Sequence, residues 1–409
     1  MRIRFVTLYF PPEVGAAQRR ISELARRLAG MGHTVTVLTG FPNYPSGVKP
    51  EAYREKFLMR ESLDGCTIIR VPHYVAPNKG FFRRILIHIT FALSASLYSL
   101  FMARDDVLYV ESPPLFNGFV ALTNKWIRRI PYFFNVADLW PQTAIELGAL
   151  TDRRVIAAAQ YLERLFYNQA AKILAVTGGI QRFIINMGYD KSRVPLITNG
   201  VDHEVFGEHG ESDPVVLRHK SDGRLLALYA GTHGMAHSLA TVLDAADRLK
   251  NRPIHFLFIG DGAEKDMLVT MAHERDLTNV TFLDPVPQGR MPGILRAADV
   301  AIIPLKNVPL FDSAMPSKCF EAMAVGVPIM LSVRGEMAEH INRAGCGFTA
   351  EPDNLDQITA AFERFLALDE SARREMGRKG RAYVVEHFSR EKIAKNLERL
   401  MRETGAHAG

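Results

Sequence analysis

Disulfide chemistry has little to work with in this chain. Its 409 residues include three cysteines, Cys66, Cys319 and Cys346, far apart and odd in number. They form no zinc spacing and no disulfide framework, which indicates a reducing compartment. The opening MRIRFVTLYFPPE reaches proline and glutamate too soon for a secretory signal, so a cytoplasmic location is expected. Charge of one sign is also scarce: 50 Lys and Arg against 44 Asp and Glu leave a net +6. No run interleaves basic with aromatic residues, which argues against a nucleic-acid partner. The small excess suits a solvated surface, or attraction to anionic lipid or nucleotide phosphates. Long apolar runs are nearly absent. The exception, residues 85–102, has no formal charge and lies between Arg83-Arg84 and Arg104. As a helix it is about 27 Å long, short of a bilayer core of roughly 30 Å. His88, Thr90, Tyr98 and three serines weaken insertion further. It reads as a helix buried against a sheet, or as one lying partly in the membrane surface with Arg83 and Arg84 near lipid headgroups.

What the chain does contain is a strand–helix alternation in two series, too long for one core. Apolar strands near 3–10, 34–40, 67–71, 107–111, 132–136 and 173–177 form the first series. Strands near 225–230, 255–259, 280–283, 300–304, 328–332 and 347–350 form the second. Continuous apolar strands joined by amphipathic helices predict α/β domains with parallel sheets covered on both faces. The expected division is a Rossmann-like domain over 1–203, a polar, glycine-punctuated linker over 204–223, and a second such domain over 224–385. A charged helix over 386–409 follows, expected to pack back on the first domain. Two Rossmann-like halves facing across a cleft place a ligand at the strands' C-terminal ends.

Three turns of the second series suit a phosphorylated ligand. After its first strand come Gly231, Thr232, His233 and Gly234; after the second, Gly260, Asp261 and Gly262; after the fourth, the loop into SAMPSKCFEAMAVGVP. In the last, Ser317 and Lys318 open a helix and Glu321 lies one turn in. Glycines let backbone approach a ligand, and helix N-termini attract anions. Lys318 supplies a cation for phosphate, and Glu321 an acceptor for a sugar hydroxyl. Each turn alone also fits an ordinary βα connection. Three at equivalent ends of one sheet would surround one nucleotide, with the base near 260–262, ribose at Glu321 and phosphates at Gly231, Thr232 and Lys318. In the first series, Gly15 sits in a small-residue turn that lacks GxGxxG spacing. Asp138 ends the fifth strand, either orienting acceptor or donor sugar or capping a helix. His33, Glu146 and Asn199 carry less of the argument, His33 as a structural residue.

The chain resembles the retaining glycosyltransferases of family 4, which have the two-domain GT-B fold. The resemblance rests on GHTVTVLT at 32–39, Asn199-Gly200-Val201-Asp202, Gly260-Asp261-Gly262, Ala298-Asp299-Val300 and the stretch from Pro316 to Pro328. FPNYPSG at 41–47 and Asp138-Leu139-Trp140-Pro141 resemble a branch that builds bacterial surface polysaccharides (O-antigen, capsule, exopolysaccharide) on lipid-linked sugars. The resemblance implies hexosyl or N-acetylhexosaminyl transfer from a nucleoside-diphosphate sugar, UDP-linked, N-acetylated or deoxy, to a hydroxyl of a lipid-linked or saccharide acceptor. It also implies peripheral contact with the inner face of the plasma membrane, no cofactor and no metal. Asp138 and Lys318 are the catalytic candidates. Gly15, Gly231, Thr232, Gly260, Asp261, Gly262, Ser317, Lys318 and Glu321 are the donor-binding ones. The chain departs from the family where a first glutamate is usual, at Ser313, and where phosphate-binding Arg and Lys are usual, near Thr232 and His237. No DxD cluster stands out. Two rivals stay open: a nucleotide-sugar binding protein without turnover, and a GT-B epimerase acting on UDP-N-acetylglucosamine.

Overall fold

A computed structural model describes the chain except residues 14, 45, 77–80, 147, 208, 221–222 and 407–409. It divides into two units: Met1–Asn199 with Arg390–Gly409, and Gly200–Ser389.

The first unit holds β1 (Arg2–Val6), β2 (Thr34–Gly40), β3 (Met59–Leu63), β4 (Cys66–Val71), β5 (Val107–Ser112), β6 (Tyr132–Val136) and β7 (Lys172–Ala175). They form one sheet in the order β3-β4-β2-β1-β5-β6-β7. The pairings are parallel except β3 with β4. Alternation along each strand feeds two cores. Val107 and Tyr109 of β5 join one apolar cluster, Leu108 and Val110 the other. This is the two-sided burial expected of a parallel sheet. Where the sequence suggests a strand over 3–10, β1 ends at Val6 and residues 7–15 leave the sheet as a loop ahead of α1 (Ala16–Gly30).

Helices α2 (Phe81–Ser99) and α3 (Asn117–Arg128) cover one face. α2 buries Ile87, Phe91 and Ala95 in the same cluster that takes Val120 and Ala121 of α3. Among the described residues, no helix is long and apolar enough to cross a membrane. The opposite face is covered by α1 and the helix Arg390–Ala406, which returns to this unit from the far end of the chain. Leu397, Leu400 and Met401 share a core with Leu24, Ala25 and Leu28 of α1. His33 Nε2 lies 3.2 Å from Glu398, and Arg390 pairs with Glu23.

The second unit holds β8 (Leu225–Ala230), β9 (Ile254–Ile259), β10 (Val280–Leu283), β11 (Val300–Pro304), β12 (Ile329–Ser332) and β13 (Gly347–Thr349). The order is β10-β9-β8-β11-β12-β13, all parallel. All six residues of β9 are buried; Leu257 and Ile259 face one core, Phe256 and Phe258 the other. Segment 204–223 contributes Phe206 and Val216 to this unit's core, and Arg290 holds Asp213 at 2.9 Å.

Candidate functional site

In the second unit β9, β8 and β11 are neighbours, so the turns that follow them meet at one edge of the sheet. Gly231, Thr232, Gly260, Asp261 and Gly262 belong to the first two of those connections, and Ser317, Lys318 and Glu321 to the helix Ser317–Val325 into which the third leads. The backbone there is closely fitted. Gly231 N–H donates to the Ile259 carbonyl at 2.8 Å, and His233 N–H to the Asp261 carbonyl at 2.9 Å. Gly260 has φ +146, and a Cβ there would lie 1.9 Å from the Gly231 carbonyl oxygen. Only glycine combines that dihedral with that approach. The Asp261 carboxylate accepts from the N–H of Gly262 at 2.8 Å, bracing its own turn.

The helix Ser317–Val325 starts after Pro316, which makes no side-chain cap. Its opening amides thus keep the anion-binding capacity of an uncapped N-terminus. Lys318 lies across this end. Its Nζ donates to Tyr229 Oη at 3.1 Å and sits 4.2 Å above the ring centroid. Tyr229 Oη in turn donates to the Thr232 carbonyl at 2.6 Å. The ammonium presses on Gly231: a Cβ there would lie 2.1 Å from Nζ. Burial pulls the Lys318 pKa down to about 8, with Glu321 opposing the drop. At neutral pH it is still mostly protonated, a desolvated cation without the shielding of bulk water.

Two histidines complete the surroundings. His237 is hydrogen-bonded to the Pro304 backbone, and burial together with Lys318 pulls it to about 4. His233 is fully buried, and neither ring nitrogen has a hydrogen-bond partner. It lies edge-on to Phe258 and Phe282, and burial lowers its pKa as well. The positions where the family usually has basic residues thus carry neutral groups, and Lys318 brings the positive charge. Ser313, standing where a glutamate is usual, ends the 3-10 turn Pro309–Ser313 ahead of the helix.

Gly15 and Asp138 lie in the other unit, following β1 and β6 with β5 between them. Gly15 precedes α1 in extended backbone, φ 173, with the Gln18 side chain against it. Asp138 accepts from Thr143 Oγ1 at 2.8 Å. Sequence reasoning passed over two residues that shape this edge. Glu13 is buried and accepts from the N–H groups of Asn43 and Tyr44, each 2.8 Å, and of Phe10 at 3.3 Å. It ties the loop after β1 to the loop after β2. Burial pushes its carboxyl up in pKa while the three amides oppose. Glu111, at the end of β5, pairs with Arg20 of α1 in a buried contact, and Asn135 Nδ2 donates to it at 3.0 Å. A charged residue ending an otherwise apolar strand was the available signal for Glu111.

The model for the glycosyl transferase 4-like domain matches residues 15–200, and that for glycosyl transferases group 1 matches residues 218–403. The putative colanic acid biosynthesis glycosyl transferase WcaI of Escherichia coli is 25% identical over 382 residues, covering 90% of this chain and 93% of that protein. Among solved structures, the sucrose-phosphate synthase of Thermosynechococcus elongatus superposes with TM-score 0.77 at 17% identity, over 99% of both chains. Anabaena HepE, solved with UDP and glucose, superposes with TM-score 0.70 at 14% identity, over 98% of this chain and 99% of that one.

Proposed function

Because the chain belongs to the family 4 glycosyltransferases of GT-B fold, related to enzymes of surface polysaccharide synthesis, we propose that it transfers a hexosyl or N-acetylhexosaminyl group from a UDP-sugar to a hydroxyl of a lipid-linked saccharide. The anomeric configuration is retained, and the protein works on the cytoplasmic side of the inner membrane. What supports a nucleotide-sugar donor is the convergence of three turns, an uncapped helix and a desolvated lysine at one sheet edge. What supports UDP is the ligand of Anabaena HepE.

In this proposal the uracil lies along 260–262, the ribose hydroxyls meet Glu321, and the diphosphate meets the amides at Gly231, Thr232 and Ser317. The bond between the anomeric carbon and the phosphate oxygen breaks as the acceptor oxygen bonds to that carbon. The acceptor proton passes to the departing UDP, so no dedicated base is needed. Negative charge grows on the diphosphate in the transition state. Lys318 and the open amides neutralise it in place of a metal, each donor worth about 2–4 kcal/mol of barrier. Asp138, after β6, orients acceptor or donor sugar.

A panel of nucleotides and nucleotide sugars tested by saturation-transfer NMR, followed by transfer assays with labelled donors, checks the proposal. UDP should compete with the productive donor, and Glu321→Ala should reduce transfer at least tenfold. Binding without transfer to any acceptor would leave the non-catalytic rival. Turnover of UDP-N-acetylglucosamine without acceptor would leave the epimerase.

A further inference from the structure

We infer that the outer face of α2 and α3 docks on an anionic lipid surface; this rests on the lipid-linked acceptor proposed above and names the place where such an acceptor's membrane meets the protein.

Helix α2 is apolar on both sides. One side enters the core through Ile87, Phe91 and Ala95. On the other, Leu86, Leu93 and Leu97 are 45%, 66% and 63% exposed. At 100° per residue those three fall within an arc of about 40°. Helix α3 adds Trp126 and Ile127, 60% and 66% exposed, and Phe101 beyond α2 is 80% exposed. Both helices bury their inner sides in one cluster, so their outer sides face the same way from the sheet. A helix on a water-facing surface ordinarily turns polar residues outward, and clustered apolar side chains mark an interaction surface.

The charges select the partner. Neither α2 nor α3 contains an aspartate or glutamate. Arg83 and Arg84 are exposed in the first turn of α2, Arg104 beyond its last, and Arg129 at the end of α3. An apolar face rimmed by arginines complements acyl chains beneath anionic headgroups. It disfavours a second copy, since a two-fold axis through this face would set like charges against each other. With no helix able to span among the described residues, α2 lies in the plane of the membrane. Arg84 is close enough to Tyr9 to lower that phenol's pKa, against the burial that raises it. The first turn of α2 therefore adjoins the loop after β1, and an acceptor held in the same membrane arrives beside that loop.

The test is flotation of the full-length protein with vesicles of equal phosphatidylglycerol and phosphatidylcholine, against phosphatidylcholine alone. At least tenfold more protein should float with the anionic vesicles, and 0.5 M salt should weaken the association. Leu93→Gln, Leu97→Gln and Trp126→Gln combined should lower flotation at least tenfold, with circular dichroism unchanged because all three side chains are exposed. A second readout needs no destabilising change. The chain has two tryptophans, so in Trp140→Phe the fluorescence is that of Trp126, and brominated acyl chains should quench it. No flotation, flotation unaltered in the triple variant, unquenched Trp126, or a dimer that the triple variant dissociates would each overturn the assignment. UDP binding measured without vesicles keeps the two proposals apart. Flotation lost with UDP binding kept overturns the docking face alone; UDP binding lost with flotation kept overturns the donor site alone.

Discussion

In Lys318→Met the side-chain stem and its packing stay, and the ammonium beside Tyr229 and Gly231 goes. Burial holds the Lys318 pKa near 8 instead of 10.5. That gap of 10.5 − 8 = 2.5 pH units, at about 1.4 kcal/mol each, corresponds to about 3 kcal/mol spent at neutral pH on keeping a proton there in the folded state. The attraction of Glu321 is already contained in that pKa; losing the Tyr229 hydrogen bond returns about 1 kcal/mol, leaving a net stabilisation of about 2 kcal/mol. For a unit of this size the second-unit transition should rise by about 4–8 °C. The pH dependence has a definite sign. Below pH 8 the lysine is protonated both folded and unfolded, so the cost is constant. Between pH 8 and 10.5 the unfolded chain binds the extra proton, so wild-type stability climbs while the variant has no such gain, and their difference closes. Thermal unfolding at pH 7, 9 and 10.5 measures this, with sugar transfer assayed at pH 7 in parallel. Transfer should fall at least tenfold while stability rises. A variant less stable than wild type at pH 7, or one that transfers normally, would refute the reasoning.

Gly260→Ala forces a Cβ against the Gly231 carbonyl at positive φ and should cost on the order of 2–4 kcal/mol in urea denaturation. Gly234→Ala, where the nearest atom would be Thr232 Cγ2 at 3.4 Å, should stay within about 0.5 kcal/mol of wild type. Glu13→Ala leaves three amides without their acceptor, two of them buried, and should destabilise the first unit by about 1–3 kcal/mol; Glu13→Gln, which keeps an acceptor oxygen, should lose less. Glu111→Leu leaves Arg20 buried without its partner and should cost about 3–5 kcal/mol by denaturant midpoint, with Arg20→Met in the same chain recovering much of it.

The strands that build both sheets were legible because each is a short apolar run closed by glycine, proline or charge, and parallel burial needs nothing subtler. β3 was not. Met59–Leu63 carries Arg60, Glu61 and Ser62 and is largely exposed, so its pattern is that of a loop. The hairpin signal was the Asp64-Gly65 pair, both at positive φ. The connections around Lys318 could be named from the sequence because two follow a strand directly and the third leads from β11 into a helix opened by Pro316-Ser317-Lys318. Their adjacency could not, since it depends on β8 pairing with both β9 and β11 across long separations. Nor could the fate of Lys318 be read there: burial lowers its pKa, and the hydroxyl it meets belongs to Tyr229, nearly ninety positions away. Glu13 and Glu111 are single carboxylates in sequence, and only folded do they acquire amides and an arginine.

The helix Arg390–Ala406 has a consequence for how the chain is made. Its apolar side chains occupy the core beside α1, yet the ribosome delivers them after all of Gly200–Ser389. The amino-terminal unit therefore waits, one flank of its sheet unsealed, until almost two hundred further residues have emerged and folded. Nascent chains of this protein pass through a stage in which the later half is mature and the earlier half is not, reversing the usual vectorial order. A frameshift near codon 390 would accordingly injure the half of the molecule translated first.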